Sequence, residues 1–100
     1  MRFGCCTPME NAPLIAQAGY DFIELTVVQH LQPETSDEEW APTRSTLEAM
    51  PLPPAAFNVM LPRDLKVVGP DVDPDRVQRY LRIAFQRDRL AIRQAEFCDI

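Results

Sequence analysis

Histidine and glycine are scarce in this chain of 100 residues. One histidine, His30, and three cysteines without C-x-x-C spacing argue against a zinc site built from these residue types. The three glycines form neither a glycine-rich phosphate loop nor a dinucleotide-binding fingerprint. The order of Ser, His and Asp typical of hydrolase motifs is missing as well. The sequence therefore lacks the familiar signatures of nucleotide, zinc and serine-hydrolase chemistry.

Positive charge and long apolar runs are also in short supply. The 10 Lys and Arg are scattered among 15 Asp and Glu, which gives a net charge of −5 and no basic face to collect nucleic-acid phosphates. No run approaches the length of a membrane span, and the apolar stretch after Arg2 is too short for a signal peptide. We expect a cytoplasmic protein that contacts neither nucleic acid nor membrane.

Proline is abundant, and the other cues are those of a small globular domain. The chain has 10 prolines, 46% hydrophobic and 25% charged residues, so firm element boundaries and one domain over residues 1–100 are expected. Cys5 and Cys6 are adjacent and would point to opposite faces of a strand, where a disulfide between them is strained. We interpret the cysteines as reduced.

The first unit is predicted to be a strand that runs straight into a helix. The strand covers Arg2 to Cys6, and Thr7, Pro8 and Glu10 then form a capping-box pattern. The apolar spacing predicts a helix over residues 8–18, which ends at a left-handed Gly19.

The second strand is predicted from Asp21 to Val28 and carries an unexpected carboxylate. One face is wholly apolar, while the other holds Glu24 and Thr26, and the pattern favours burial on both sides. Burying an ionised carboxylate costs several kcal/mol unless it is paired. Glu24 therefore faces water, an interior ion pair or a functional site.

A broken helix and a third strand follow. Ser36 begins a second capping box, but Pro42 is expected to divide the helix into one turn through Trp40 and a second piece that ends before Pro51. A proline-rich linker then leads into a strand from Ala55 to Met60, in which Asn58 is the polar interruption. Asn58 is interpreted either as a ligand contact or as a satisfied strand-end amide.

A long last helix is predicted to begin at Asp73-Pro74. Its expected buried stripe, which Asp88 interrupts, comprises Val77, Leu81, Ala84, Phe85, Ile92 and Ala95, and Tyr80 is assigned to the core beside them. The residues from Phe97 to Ile100 could begin a fourth strand.

Alternating strands and helices predict an α/β fold with right-handed crossovers and a parallel sheet. In open α/β sheets and in closed barrels, functional side chains gather at the carboxyl ends of the strands. Thr7, Glu24 and Asn58 are therefore expected at a common rim.

Four segments, in order, resemble the amino-terminal third of sugar phosphate isomerase/epimerase proteins, which are xylose-isomerase-like TIM barrels. The resemblance runs from about residue 2 to residue 87, and the segments are RFGCCT, AGYDFIEL, AFNVMLP and LKVVGPDVD. It implies the first three to four units of a (β/α)8 barrel: an incomplete parallel sheet with helices on one side.

The resemblance also implies a chemistry. Members of the family hold a divalent metal on Glu, Asp and His ligands, and paired glutamates move a proton beside a sugar carbonyl. The strands that carry those groups would lie beyond Ile100, because a complete barrel needs about 200 to 250 residues. We therefore expect no catalytic residue and no metal ligand in this chain, which is expected to be inactive alone. The residues expected to line the sugar or sugar phosphate pocket are Cys6, Thr7, Glu24, Asn58 and Lys66.

Other interpretations stay open at this point. The last segment, RDRLAIRQAEFCDI, departs from the family pattern, which indicates a truncated or divergent end. Three strands of eight leave open sheet edges, so a non-catalytic α/β module that pairs with itself or with a remaining barrel piece is the alternative. A more distant alternative is the endonuclease branch of the barrel superfamily, which the acidic balance disfavours. Lys66 could be a solvated loop cation, and His30 either a base or an ordinary loop residue.

Overall fold

Three short parallel strands form one open sheet, with helices connecting them. The computed structural model describes residues 1–98, and side chains through residue 91. A 3₁₀ turn, Met9–Asn11, precedes the first α-helix, and a π-helical turn, Val27–Leu31, follows the second strand. The strands and α-helices are β1 Gly4–Cys6, α1 Ala12–Gln17, β2 Phe22–Thr26, α2 Asp37–Glu48, β3 Pro54–Asn58 and α3 Pro74–Cys98.

The sheet order is β1-β2-β3, and both strand pairs are parallel. Glu24 of β2 aligns with Cys6 of β1 and with Ala56 of β3, and Thr26 aligns with Asn58. Within the described residues, β1 and β3 each keep one edge without a neighbouring strand. The predicted α/β class, strand order and parallel pairing are confirmed.

The hydrophobic core lies on one face of this sheet. Ile23 and Leu25 are fully buried there, whereas Phe22, Glu24 and Thr26 on the opposite face are half-buried. The helices and loops contribute the other fully buried apolar side chains, among them Ala12, Ile15, Trp40, Leu47, Tyr80 and Ala84. The expectation that β2 is buried on both sides is therefore wrong, because the described helices cover one face.

The first helix begins later than predicted. Pro8 precedes a 3₁₀ turn and no side chain caps it, so the expected Thr7 capping box does not form. Pro13 has no N–H to donate to the carbonyl four residues earlier, which explains why α-helical bonding starts only around this residue. Gly19 adopts φ 94° after the helix, which confirms the predicted left-handed end.

The second helix is continuous, contrary to the expected break at Pro42. The Ser36 capping box forms with Glu39, as predicted, and α2 then runs unbroken through Pro42 to Glu48. Pro42 removes one hydrogen bond to the carbonyl of Glu38, and both residues are exposed, so water can satisfy that carbonyl.

Strand β2 ends at Thr26, two residues earlier than predicted. The Thr26 hydroxyl accepts a hydrogen bond from the Gln29 backbone N–H (3.2 Å), and this caps the π-helical turn. Gln32 closes the turn in the left-handed conformation, at φ 47°. The β-branched pair Val27 and Val28 favoured a strand, but the local cap overrides that preference.

The buried stripe of α3 is rotated relative to the prediction. Tyr80, Ala84 and Arg87 are buried, whereas Phe85, expected in the core, is 54% exposed. The predicted positions Ile92 and Ala95 lie outside the described side chains. Of the predicted fourth strand, Phe97 and Cys98 belong to α3, and residues 99 and 100 lie outside the described part of the chain.

Arg87 is the buried cation that fastens α3 to the rest of the fold. Its guanidinium donates to the carbonyls of Leu31 (2.8 Å), Gln32 and Thr35 (2.9 Å). It also contacts the Thr35 hydroxyl (3.1 Å) and the Asp37 carboxylate (3.2 Å). One side chain thus joins α3 to the π-helical turn, the loop after it and the start of α2.

Trp40 completes this anchor. The Arg87 guanidinium lies 4.7 Å from the centroid of the Trp40 ring, and the indole N–H donates to the carbonyl of His30 (2.9 Å). Tyr80, about two turns before Arg87 in α3, donates its hydroxyl to the carbonyl of Met60, and burial raises the pKa of Tyr80. Among the described residues, no helix is long and apolar enough to cross a membrane.

Candidate functional site

The half-buried face of the sheet collects three of the five predicted pocket residues. The strand register places Cys6 beside Glu24, and Asn58 one row higher beside Thr26. Because side chains alternate along a strand, these four residues share the face that the described helices leave uncovered. Of the predicted rim residues Thr7, Glu24 and Asn58, the register places Glu24 and Asn58 on one face, and Cys6, which the resemblance assigned to the pocket, shares that face.

This face is concave. The Asn58 Nδ2 donates to the Cys6 Sγ at 3.4 Å, although β2 lies between their strands. Strands two positions apart in a flat sheet are about 9.6 Å apart, at about 4.8 Å per step, and these two short side chains would then stand side by side without touching. Their contact indicates that the sheet curls toward this side, which we call the concave face.

Glu24 points to the concave face without a charged partner. Among the described residues, no Lys, Arg or His forms a salt bridge with its carboxylate. The interior ion pair considered from the sequence therefore has no support in the described part of the chain. A half-buried carboxylate beside a thiol and an amide is a ready acceptor for hydroxyl groups.

Asn58 has an unsatisfied acceptor and a strained neighbour. Its Oδ1 is buried and has no hydrogen-bond partner, a state that costs about 1 to 3 kcal/mol. The next residue, Val59, has φ 48°, a left-handed conformation that costs a β-branched residue about 1 to 3 kcal/mol. Costs of this kind occur often at functional sites, so the carboxyl end of β3 is a candidate site.

The side chains of Thr7 and Lys66 do not join this cluster, although the Thr7 backbone N–H donates to the carbonyl of Glu24 (3.4 Å). The Thr7 hydroxyl accepts a hydrogen bond from Asn11 Nδ2 (2.8 Å), which ties it to the loop before α1. Lys66 is exposed in the loop between β3 and α3, and no contact links it to Cys6, Glu24 or Asn58. Their expected role in binding stays a prediction.

Phe22 closes the amino-terminal end of the concave face. Its ring lies so close to Gly4 that a Cβ at residue 4 would stand 1.9 Å from a ring carbon. The Arg2 guanidinium lies over the same ring, 5.6 Å from its centroid. The Phe22 ring thus covers the amino-terminal end of the concave face, and the polar groups lie nearer the carboxyl ends of the strands.

His30 lies at the buried junction between the 3₁₀ turn after β1 and the π-helical turn after β2, and its Nδ1 is 3.3 Å from the Thr26 hydroxyl. It is 6% exposed, its Nδ1 lies 3.2 Å from the Thr26 carbonyl, and its Nε2 accepts from the Met9 backbone N–H at 3.4 Å. Nδ1 also lies 3.1 Å from the Thr26 backbone N, so the neutral ring donates or accepts at Thr26 according to its tautomer. Burial lowers the pKa of His30, which favours this neutral ring.

His30 makes stability depend on pH in a defined window. Its pKa is lowered from 6.5, so the unfolded chain binds the proton first as the pH falls through 6.5, and stability decreases until the pH passes the folded pKa. Above pH 6.5 both states are neutral and the contribution is constant. The measurement is urea unfolding against pH, together with the NMR titration of the single imidazole, whose midpoint is expected below 6.5.

The matched variant His30→Asn is expected to lose most of that slope just below pH 6.5. Glu34 adds a second loss at lower pH, because its hydrogen bonds with Arg76 lower the pKa of its carboxyl from 4.5. An imidazole midpoint above 6.5 would contradict the buried neutral ring.

The described residues do not fit a metal centre. The concave face offers Cys6 and Glu24 as potential ligands, and nowhere in the described part of the chain do three His, Cys, Asp or Glu side chains come together. A divalent metal thus remains an implication of the family resemblance.

Sequence reasoning missed two features of the region. The sequence pattern places Thr26 on the same face as Glu24, but it does not predict that the Thr26 hydroxyl caps the π-helical turn after β2. The conformation of Val59 could not be predicted, because a β-branched residue after a strand predicts more strand.

Comparison with protein-family models, with curated proteins and with solved structures finds no match for this chain.

Proposed function

We propose that the concave face is one wall of a carbohydrate-binding cavity in a sugar or sugar phosphate isomerase/epimerase barrel, of which this chain forms the first units. The observation that carries the proposal is the convergence of Cys6, Glu24 and Asn58 on one uncovered, curled face. The polar groups lie toward the carboxyl ends of the strands, where α/β enzymes bind their ligands.

The chemistry of this wall suits a polyol. A sugar hydroxyl donates one hydrogen bond and accepts others, and the Glu24 carboxylate and the buried Asn58 Oδ1 are both acceptors without partners among the described residues. A hydroxyl donated to Oδ1 would remove the cost of the unsatisfied oxygen. The Asn58 amide N–H can serve as a donor on the same face.

The architecture also supports a partial barrel. A parallel sheet, helices on one side and curvature toward the other are the features of consecutive β/α units in a closed barrel. In this proposal Glu24 and Asn58 bind and orient the substrate, while proton transfer beside the carbonyl belongs to groups that this chain does not supply. The chain alone is therefore expected to bind sugars weakly and to turn none over.

The proposal predicts a localised sugar titration. Adding xylulose 5-phosphate to the labelled chain is expected to shift the backbone amide signals of Cys6, Glu24, Thr26 and Asn58 in two-dimensional NMR spectra. Glu24→Gln is expected to weaken binding by about tenfold, because a hydrogen bond to a charged acceptor contributes about 1.5 to 3 kcal/mol.

Glu38→Gln is the matched control, since Glu38 is exposed on α2 and lies away from the concave face. It removes the same charge and is expected to leave the titration unchanged. Inorganic phosphate and xylose, titrated separately, show which half of the ligand is recognised. Shifts confined to other surfaces, or equal binding by Glu24→Gln and the unchanged chain, would overturn the proposal.

A non-catalytic, self-associating module is the second candidate. The observation that favours it is the presence of two free strand edges, on β1 and β3, within the described residues. Unpaired edges are templates for further strand pairing. This candidate makes no use of the polar groups on the concave face, and it is tested by the state of association rather than by sugar binding.

A further inference from the structure

We propose that two adjoining cavities between α2 and α3 bind a small aromatic carboxylate, with its ring in one cavity and its carboxylate in the other. The first, the linker cavity, has a volume of about 190 Å³ and is lined by residues 50–54 and by Ala91. The second, the arginine cavity, has a volume of about 420 Å³ and is lined by Arg44, Arg87 and Arg89. The linker cavity lies at the amino end of β3, so this inference goes beyond sugar binding at the carboxyl ends of the strands.

Three side chains belong to both cavities: Trp40, Arg44 and Leu90. Trp40 is buried and forms the inner wall of each cavity, whereas Arg44 and Leu90 are exposed. Exposed side chains change rotamer on the nanosecond timescale without disturbing the core. One elongated ligand can therefore occupy both cavities at once, beside the Trp40 ring.

The linker cavity has the size and the surface for one aromatic ring. Apart from Arg44 and Glu48 its lining is apolar, and the indole of Trp40 and the proline rings provide flat walls. An apolar cavity of about 150 Å³ takes up benzene, so a volume of about 190 Å³ accommodates one such ring with a short substituent.

The arginine cavity supplies positive charge for an anion. Of its guanidinium groups, that of Arg87 is already bound to Asp37 (3.2 Å). Arg89 is exposed and forms no ion pair within the described residues, while Arg44 pairs with Glu48 (3.1 Å) in an exposed contact that a ligand can replace at little cost. Two guanidinium groups at one cavity suit a carboxylate, which accepts paired hydrogen bonds from them, and they repel a cation.

The single tryptophan reports on binding directly, because Trp40 borders both cavities. Phenylpropionate is expected to change the Trp40 fluorescence in a saturable titration, with a dissociation constant of about 1 mM or lower. Phenylpropanol lacks the charge and is expected to bind about threefold more weakly. Propionate lacks the ring and is expected to produce no saturable change.

NMR spectra distinguish this site from the sugar wall. Phenylpropionate is expected to shift the backbone amide signals of Leu47, Leu90 and Ala91, which belong to the linker cavity. The signals of Cys6 and Glu24 on the concave face are expected to stay in place. Failure of sugar binding therefore leaves this result untouched, and failure of phenylpropionate binding leaves the sugar titration untouched.

Arg89→Gln is expected to raise the dissociation constant of phenylpropionate about threefold. Arg82→Gln is the matched control, because it makes the same change seven residues earlier on the same side of α3, outside both cavities. The two positions are about 10 Å apart, beyond the screening length of about 8 Å at physiological ionic strength, so Arg82→Gln is expected to bind normally. Glu48→Gln is expected to tighten binding, because it frees Arg44 from a competing carboxylate.

Ala91→Leu is expected to abolish the titration, since the longer side chain fills part of the linker cavity. Circular dichroism checks that this variant is folded; Arg89→Gln and Arg82→Gln change exposed side chains and decide the question if it is not. Three results would each overturn the proposal: no saturable fluorescence change up to about 10 mM phenylpropionate, equal binding of the acid and the alcohol, or equal binding by the Arg89 and Arg82 variants.

Discussion

Arg87→Ala is expected to lower the free energy of unfolding by about 2 to 5 kcal/mol, because each buried carbonyl left without a donor costs about 1 to 3 kcal/mol. Arg87 is 2% exposed, and its loss leaves the carbonyls of Leu31 and Thr35 without donors, while the Gln32 carbonyl still accepts from Thr35. It also removes the cation that packs on the Trp40 ring. Urea unfolding followed by the fluorescence of the single tryptophan measures the change.

Two further substitutions test whether the guanidinium of Arg87 accounts for this loss of stability. Arg87→Lys keeps the charge but loses the planar fork that reaches several carbonyls at once, so an intermediate loss is expected. Arg82→Ala, at an exposed position of the same helix, is expected to change the unfolding free energy by less than about 0.5 kcal/mol. If Arg87→Ala is no more destabilising than Arg82→Ala, the anchoring role of Arg87 is wrong.

Gly4→Ala is expected to destabilise the fold by about 1 to 3 kcal/mol, the range for overpacking. The added Cβ would lie 1.9 Å from the Phe22 ring, so the ring has to leave its place over β1 and its contact with Arg2. The same unfolding experiment measures the loss. Ring-current shifts of nearby protons, recorded by NMR, report the displacement of the ring.

A double-mutant cycle separates this clash from other effects of the substitution. In a Phe22→Ala background the ring is gone, and Gly4→Ala is expected to cost about 0.5 kcal/mol or less, or even to stabilise by restricting the unfolded chain. Equal losses in both backgrounds would show that the cost comes from the backbone of Gly4 rather than from Phe22.

The fold class was predictable from the sequence because its periodicities are strong. Alternating apolar segments, the Ser36 capping box and Gly19 all act locally, and the structure confirms each of them. Local signals also gave two wrong predictions, one of a helix break and one of a strand end. Pro42 predicted a broken helix, but an exposed carbonyl can bond to water and the helix continues. Val27 and Val28 predicted more strand, but the Thr26 cap turns the chain.

The buried face of α3 was harder to predict for a different reason. Tyr80 is buried as predicted, but Arg87 becomes a core residue only because carbonyls of distant segments accept its hydrogen bonds. Apolar spacing therefore favoured Phe85, which is exposed, and passed over Arg87. The polar face was predictable in outline, since Glu24 and Asn58 interrupt apolar strands, but the contact between Asn58 and Cys6 depends on sheet curvature, which no local pattern encodes.

The pairing of β2 with β3 contains one irregular step: Ile23 aligns with Pro54, but Glu24 aligns with Ala56. One surplus residue in β3 therefore reverses which side each later side chain takes. With uninterrupted alternation from Pro54, Phe57 would lie on the solvent side and Asn58 beneath the helices. Because of the inserted residue, Phe57 instead lies beside Leu25 and packs on the core, and Asn58 lies on the opposite face of the sheet. The orientation of Asn58 is thus decided by the length of the strand upstream of it and not by its own identity.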